Sequence, residues 1–127
     1  MKVFSISDNV ENSSLITPWS LIHLLFGLLL YLYLTYFFNT STEKAFLILL
    51  IIHTIYEIKD LMYYFNIHEK DGYWANNSLI NSIGDTVFAI IGFGIGMQIE
   101  EINLNLIVYL TLLYFTLILI VMNKKLG

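Results

Sequence analysis

Six polar or ionisable side chains lie within long apolar runs of this sequence, where hydrocarbon would surround them. In chain order they are His23, His53, Glu57, Asp60, Asn81 and Asp85. An ionised carboxylate in the hydrocarbon layer is costly unless it is paired, protonated or hydrated. These residues therefore predict a polar site inside a membrane, although they do not name its reaction.

Imidazoles and carboxylates bind divalent metal ions, and they also act as general acids and bases. His53 and Glu57 are four residues apart, so adjacent turns of one helix offer both to the same ion. The spacing is common, and a neutral hydrogen bond between the two side chains explains it equally well. A divalent metal ion is the candidate cofactor, and its candidate ligands are His23, His53, Glu57 and Asp85.

Glu57 and Asp85 form the strongest candidate pair, because two carboxylates in a low dielectric cannot both ionise cheaply. They are the candidate catalytic residues: Glu57 as a general base, and Asp85, together with His23, as the binder of a cation or a head group. The candidate substrate- or cation-binding residues are His23, His53, Asp60 and Asn81. A solvated position near the interface explains Asp60 equally well. An interhelical hydrogen bond explains Asn81 equally well.

The composition is that of a membrane protein. The chain has 127 residues, of which 57% are hydrophobic and 13% are charged, and its mean hydropathy is +0.72. A soluble domain is about a quarter charged. The absence of cysteine excludes disulfides and thiolate metal sites. A net charge of −4 excludes a basic nucleic-acid footprint, so membrane lipids are the expected surroundings and nucleic acid is not an expected partner.

Four apolar runs each have about the 20 residues that cross about 30 Å of hydrocarbon. They predict an all-α fold, a four-transmembrane-helix up-down bundle over residues 18–123, with a polar N-terminal tail (1–17) and a C-terminal tail (124–127). The predicted helices cover about 18–38, 45–65, 78–98 and 104–122. The longest predicted loop is 66–77, between the second and third helices.

The lysines predict the orientation and the depth of the site. Four of the six lie at the termini and in the 66–77 loop, which indicates that both termini are cytoplasmic. At about 1.5 Å per residue, the polar side chains fall within the cytoplasmic third of the membrane, and His53 lies about one turn deeper.

Glycines on the third helix are typical of close helix packing. Gly84, Gly92 and Gly96 are the candidate packing residues, since small side chains let helices approach closely in lipid. We expect this face to bring Asp85 towards the second helix.

Three short motifs occur within residues 18–98: His23 with Gly27, the segment Tyr56-Glu57-Ile58 with Asp60, and Asn81-Ser82 with Asp85-Thr86. In these motifs the chain resembles a family of small four-helix bacterial membrane proteins of unknown function, VanZ-like in appearance. The family favours Trp where Tyr56 stands, and its loop between the second and third helices is longer. The resemblance implies a bacterial inner-membrane protein and supports the site residues without naming a substrate.

Three functions remain open. The first is a membrane-embedded binding protein or enzyme that acts on lipid-linked or amphiphilic molecules. The second is a small ion or proton carrier, for which the predicted cluster is off-centre. The third is a structural or assembly subunit, in a homo-oligomer or a larger membrane complex, whose polar cluster is only an interhelical hydrogen-bond network.

Overall fold

The fold is a bundle of four helices, as the sequence predicts. The computed structural model describes the backbone of residues 15–68 and 72–124 and the side chains of residues 15–59 and 80–123. The helices are α1 (Pro18–Phe38), α2 (Thr42–His68), α3 (Gly72–Met97) and α4 (Leu104–Lys124).

Local sequence signals set several of the helix ends. Pro18 begins α1, where its missing N–H costs nothing, and the N–H of Thr17 donates to Ser20 Oγ at 2.9 Å. Asn39 ends α1 in the left-handed conformation, with φ of 51°. The side-chain oxygen of Asn103 accepts from the Leu106 N–H at 2.9 Å and caps the start of α4.

Three helices are long and apolar enough to cross a membrane: Pro18–Phe38, Ile80–Met97 and Leu104–Asn123. Helix α2 is not among them, because its described part contains Glu43, Lys44, Glu57 and Lys59. The predicted span over 45–65 therefore stays a prediction.

Helices α2 and α3 both extend into the segment predicted as the longest loop. Helix α2 continues through His68 and α3 begins at Gly72, so helix occupies most of 66–77. Hydropathy reports which residues suit hydrocarbon, whereas a helix continues wherever its backbone hydrogen bonds continue. The apolar run is therefore shorter than the helix that contains it.

Helix α1 is the centre of the bundle. It packs against α2, α3 and α4, and α2 also packs against α3. Within the described residues, α4 approaches α1 alone. One apolar cluster, with Leu28, Leu32 and Ile107 at its core, joins α1 to α4. A second, around Leu49 and Phe93, joins α2 to α3.

The tightest contact is between α1 and α3, and glycines make it possible. A Cβ placed on Gly27 would collide with the Ala89 carbonyl oxygen, and one placed on Gly92 would collide with that of Leu24. The glycine face of α3 therefore presses on α1. The expected approach of Asp85 to the second helix stays a prediction, and the carboxylate lies 3.2 Å from His23 of α1.

The other two candidate packing glycines meet the N-terminal part of the chain in the same way. A Cβ on Gly84 would collide with the Leu15 carbonyl oxygen, and one on Gly96 would lie 2.9 Å from the Tyr31 ring. Gly94, in contrast, has nothing within 4 Å of such a Cβ. Gly92 and Gly94 are therefore two positions on the same helix at which the same substitution meets a close backbone in one case and open space in the other.

We expect Gly92→Ala to destabilise the protein by about 1–3 kcal/mol, because the added methyl group forces two backbones apart. Gly94→Ala is the control, since its methyl group enters open space, and we expect it to be neutral or slightly stabilising. The free energy of unfolding in detergent measures both. Equal effects at the two positions would contradict the close α1–α3 contact.

Candidate metal centre

Three helices bring buried ionisable side chains to one place. Helix α1 contributes His23, α2 contributes His53 and Glu57 from successive turns, and α3 contributes Asp85. Each is at most 9% exposed. Since isolated ionisable groups are costly to bury, their convergence needs a mutual stabilising interaction.

His23 lies at the middle of the cluster and uses both ring nitrogens. Its Nδ1 is 2.9 Å from His53 Nε2, a hydrogen-bond distance. Its Nε2 is 3.2 Å from Asp85 Oδ2. The two imidazole rings meet edge to face, with centroids 5.0 Å apart and an interplanar angle of 73°. One imidazole therefore links α2 to α3.

Glu57 completes a triangle with the two facing imidazole nitrogens. Its Oε1 is 3.7 Å from His53 Nε2 and 4.0 Å from His23 Nδ1. The two inner nitrogens are themselves 2.9 Å apart. The point equidistant from these two nitrogens and Glu57 Oε1 is therefore about 2.1 Å from each of the three atoms, which is the length of a zinc–nitrogen or zinc–oxygen bond. The three side chains form a group that could hold a metal ion.

The outer nitrogen of each imidazole meets an oxygen atom on α3. His23 Nε2 faces the Asp85 carboxylate, and His53 Nδ1 is 3.4 Å from the Thr86 hydroxyl. The Thr86 hydroxyl itself donates to the Ser82 carbonyl at 2.8 Å, so it is available as an acceptor. Neutral imidazoles can thus keep their protons on the outer nitrogens and direct their lone pairs inward, an arrangement typical of metal-binding histidines.

The structure brings together four of the six predicted site residues. His53, which the sequence assigned a supporting role, lies directly in the triangle with His23 and Glu57. Asp85 lies outside the triangle, behind His23. Asn81 lies one turn before Asp85 and is partly buried, whereas the side chain of Asp60 lies outside the described residues.

Sequence reasoning named Thr86 and Ser82 only in the motifs that carry the resemblance and gave neither residue a role in the site. A threonine hydroxyl that donates to the carbonyl four residues earlier is ordinary in apolar helices, so it gave no distinctive signal. The available hints were the motif Asp85-Thr86 in the resemblance and the position of Thr86 next to Asp85, since adjacent residues of one helix can face different neighbouring helices. No family model, curated protein or solved structure matches the chain.

The contact between His23 and Asp85 should appear as an energetic coupling in metal-free protein. We expect His23→Leu plus Asp85→Leu to cost less than the sum of the two single changes, by about 1 kcal/mol, because each single change leaves a buried polar partner behind. The free energy of unfolding, measured in detergent with a chelator present, gives all three values.

The matched control combines His23→Leu with Thr111→Val. The Thr111 hydroxyl bonds Tyr33 at 2.8 Å, ten residues further along α1, and so shares no partner with His23. We expect these two changes to add within about 0.5 kcal/mol. Additivity in the His23–Asp85 pair as well would mean that their contact contributes nothing to stability.

Proposed function

We propose that this chain is a multi-pass integral membrane protein that binds one divalent transition-metal ion through His23, His53 and Glu57. Asp85 and Thr86 act behind the two imidazoles and set their protonation. The observation that carries the proposal is the convergence of three ligand atoms, from two helices, around a point at metal–ligand bond distance.

The burial of the cluster supports a metal ion over a surface group of acidic residues. His53 and Glu57 are 3% and 6% exposed, so water solvates them poorly. With both imidazoles protonated on their outer nitrogens, the inner lone pairs and the Glu57 oxygen would repel each other at these distances, and a cation between them would remove the repulsion. The ion would also tie α1 to α2, whose mutual contact is otherwise the smallest among the helix pairs that touch.

Two imidazoles and one carboxylate leave at least one coordination position open. Sites with three protein ligands are typical of catalytic rather than purely structural zinc, and the same ligand set also binds iron(II). An open position allows an exogenous oxygen atom to bind, so the site suits ligand binding or Lewis-acid chemistry. The open position therefore favours a binding protein or an enzyme over a purely structural subunit.

The proposal includes four membrane spans. The outer face of α2 supports this, since Leu47, Ile51, Ile55 and Ile58 are each more than half exposed. Exposed aliphatic faces of this extent need lipid or a partner to cover them. With the lysine distribution, four spans put both termini on the cytoplasmic side, and the resemblance to VanZ-like proteins favours a bacterial inner membrane.

We expect purified wild-type protein, reconstituted with zinc or iron(II) and freed of excess metal, to retain about one ion per chain. His53→Leu should abolish retention because it removes a ligand. Asp85→Asn should keep the ligands but weaken binding by about 10–100-fold, because the outer partner of a ligating histidine is altered. Elemental analysis and a competition titration with a chelator measure stoichiometry and affinity.

The matched control is Thr54→Val, a change at the exposed residue next to His53 on α2. It should leave metal content and affinity unchanged. Wild-type protein that is folded but retains no metal would refute the proposal. The cluster would then be an interhelical hydrogen-bond network, and the structural function would take first place.

A further inference from the structure

The metal site has an apolar cavity on one side. Because α4 approaches only α1 within the described residues, a cleft of about 250 Å³ remains between α2 and α4, with α1 as its floor. His23 and His53 form part of its wall, and the rest is aromatic and aliphatic. Tyr56 and Met122, which also line it, are 49% and 61% exposed, so the cleft opens to the outer surface of the bundle.

A second apolar cavity, of about 240 Å³, extends this cleft along α1 and α4. Both cavities are lined by Phe26 and Tyr114, so they adjoin, and the second one ends at Tyr33 and Thr111. From His23 to Tyr33 the axial distance is about 15 Å, which is half of a hydrocarbon core of about 30 Å. The combined groove therefore has the length of one lipid tail within one leaflet.

The groove selects an occupant with one polar end and one apolar body. Its His23–His53 end offers imidazoles, whereas the hydroxyls of Tyr33 and Thr111 at the other end bond each other at 2.8 Å. Between the two ends the lining consists of side chains such as Phe26 and Ile118.

The mouth of the groove lies between α2 and α4, near the end of the bundle where Trp19 stands at the start of α1 and Met122 in the last turn of α4. In the proposed orientation this level is close to the boundary between head groups and hydrocarbon. A molecule already dissolved in the bilayer reaches it by lateral diffusion.

The charges of the described cluster indicate a neutral head group. A divalent ion is balanced by the carboxylates of Glu57 and Asp85 when both histidines are neutral. A further anionic ligand would leave a net negative charge in a low dielectric, which is unfavourable. The chain also has no arginine, the usual residue for bidentate binding of phosphate or carboxylate.

We propose that the groove lined by α1, α2 and α4 binds a single-chain lipid with a neutral oxygen head group, such as a long-chain alcohol. The hydroxyl oxygen reaches the open position of the metal ion, and the hydrocarbon chain lies along α1 towards Tyr33. This inference rests on the proposed metal site and names the class of ligand that the site takes.

The test uses full-length, zinc-loaded protein in phosphatidylcholine nanodiscs and a hexadecanol analogue with a photoreactive diazirine in its chain. We expect labelling of α1 and α4 that hexadecanol displaces, with hexadecane and palmitate at least about tenfold less effective. In His53→Leu, which removes a metal ligand, hexadecanol should lose its advantage over hexadecane.

Two variants block the groove and one serves as the matched control. Ile118→Trp fills the cleft, Met122→Trp narrows its mouth, and both should lower displaceable labelling by roughly tenfold or more. Leu119→Trp makes the same change on the exposed face of α4, where the residue is 68% exposed, and should have no effect. All three variants should retain metal, which verifies that they are folded.

The outcomes separate this inference from the metal proposal. Protein that retains metal but shows no displaceable labelling, or labels equally in Ile118→Trp and Leu119→Trp, overturns the lipid site alone. Equal displacement by hexadecanol and hexadecane in wild-type protein overturns it as well, since the head group would then have no role. Absence of metal from folded wild-type protein refutes the proposed function first.

Discussion

The backbone-to-backbone contact between α1 and α3 is the constraint on which the other contacts depend. Gly27 and Gly92 let the two helices approach until only a hydrogen atom separates the chains at each glycine. In lipid, helix association has no help from the hydrophobic effect, so close packing of this kind is a main source of stability. His23 lies one turn before Gly27 on the same face of α1, and this contact therefore brings its ring to Asp85.

The hydrogen-bond distances of His23 and His53 are compatible with two proton arrangements, which differ by one proton. In the first arrangement Asp85 would be protonated and would donate to His23 Nε2, His23 Nδ1 would donate to His53 Nε2, and His53 Nδ1 would donate to Thr86, which keeps its bond to the Ser82 carbonyl. In the second arrangement, which the proposed metal ion would require, Asp85 would be ionised and accept from His23 Nε2, and the inner nitrogens would carry no proton. Binding of the proposed ion would therefore release one proton and move the His23 proton from one nitrogen to the other.

The two proton arrangements also give a reason why the outer partner of His23 is the carboxyl group of Asp85 and that of His53 is the hydroxyl of Thr86. His23 would have to reverse the direction of its hydrogen bond to Asp85 on binding of the proposed ion, and only a group that can both donate and accept, such as a carboxyl group, permits that reversal. His53 keeps its proton on Nδ1 in both arrangements, so a fixed acceptor is sufficient there. Thr86, held by the Ser82 carbonyl, is such an acceptor.

The sequence predicted the parts of this arrangement that depend on one helix at a time. Apolar runs located the helices, and the axial rise put His23, Glu57 and Asp85 in one layer. It could not predict that His23 lies between the other two, because this depends on the rotation of three helices about their axes. The glycines indicated a packing face on α3 but not which helix packs against it. The sequence of α4 is nearly free of polar residues, so it did not indicate that α4 lies apart from α2 and α3 in the described residues.

That separation of α4 gives the bundle its functional asymmetry. A closed four-helix bundle would bury His23 and His53 on every side, and an ion there would have no room for a further ligand. Here α1 and α3 seal one side through glycine contacts, while the cleft between α2 and α4 leaves the imidazole edge reachable. Because the lining of the cleft is mostly apolar, an amphiphile would be favoured over water as its occupant. The cost of burying the polar cluster is thus offset on one side by packing, and the other side would be open to the lipid ligand that we propose.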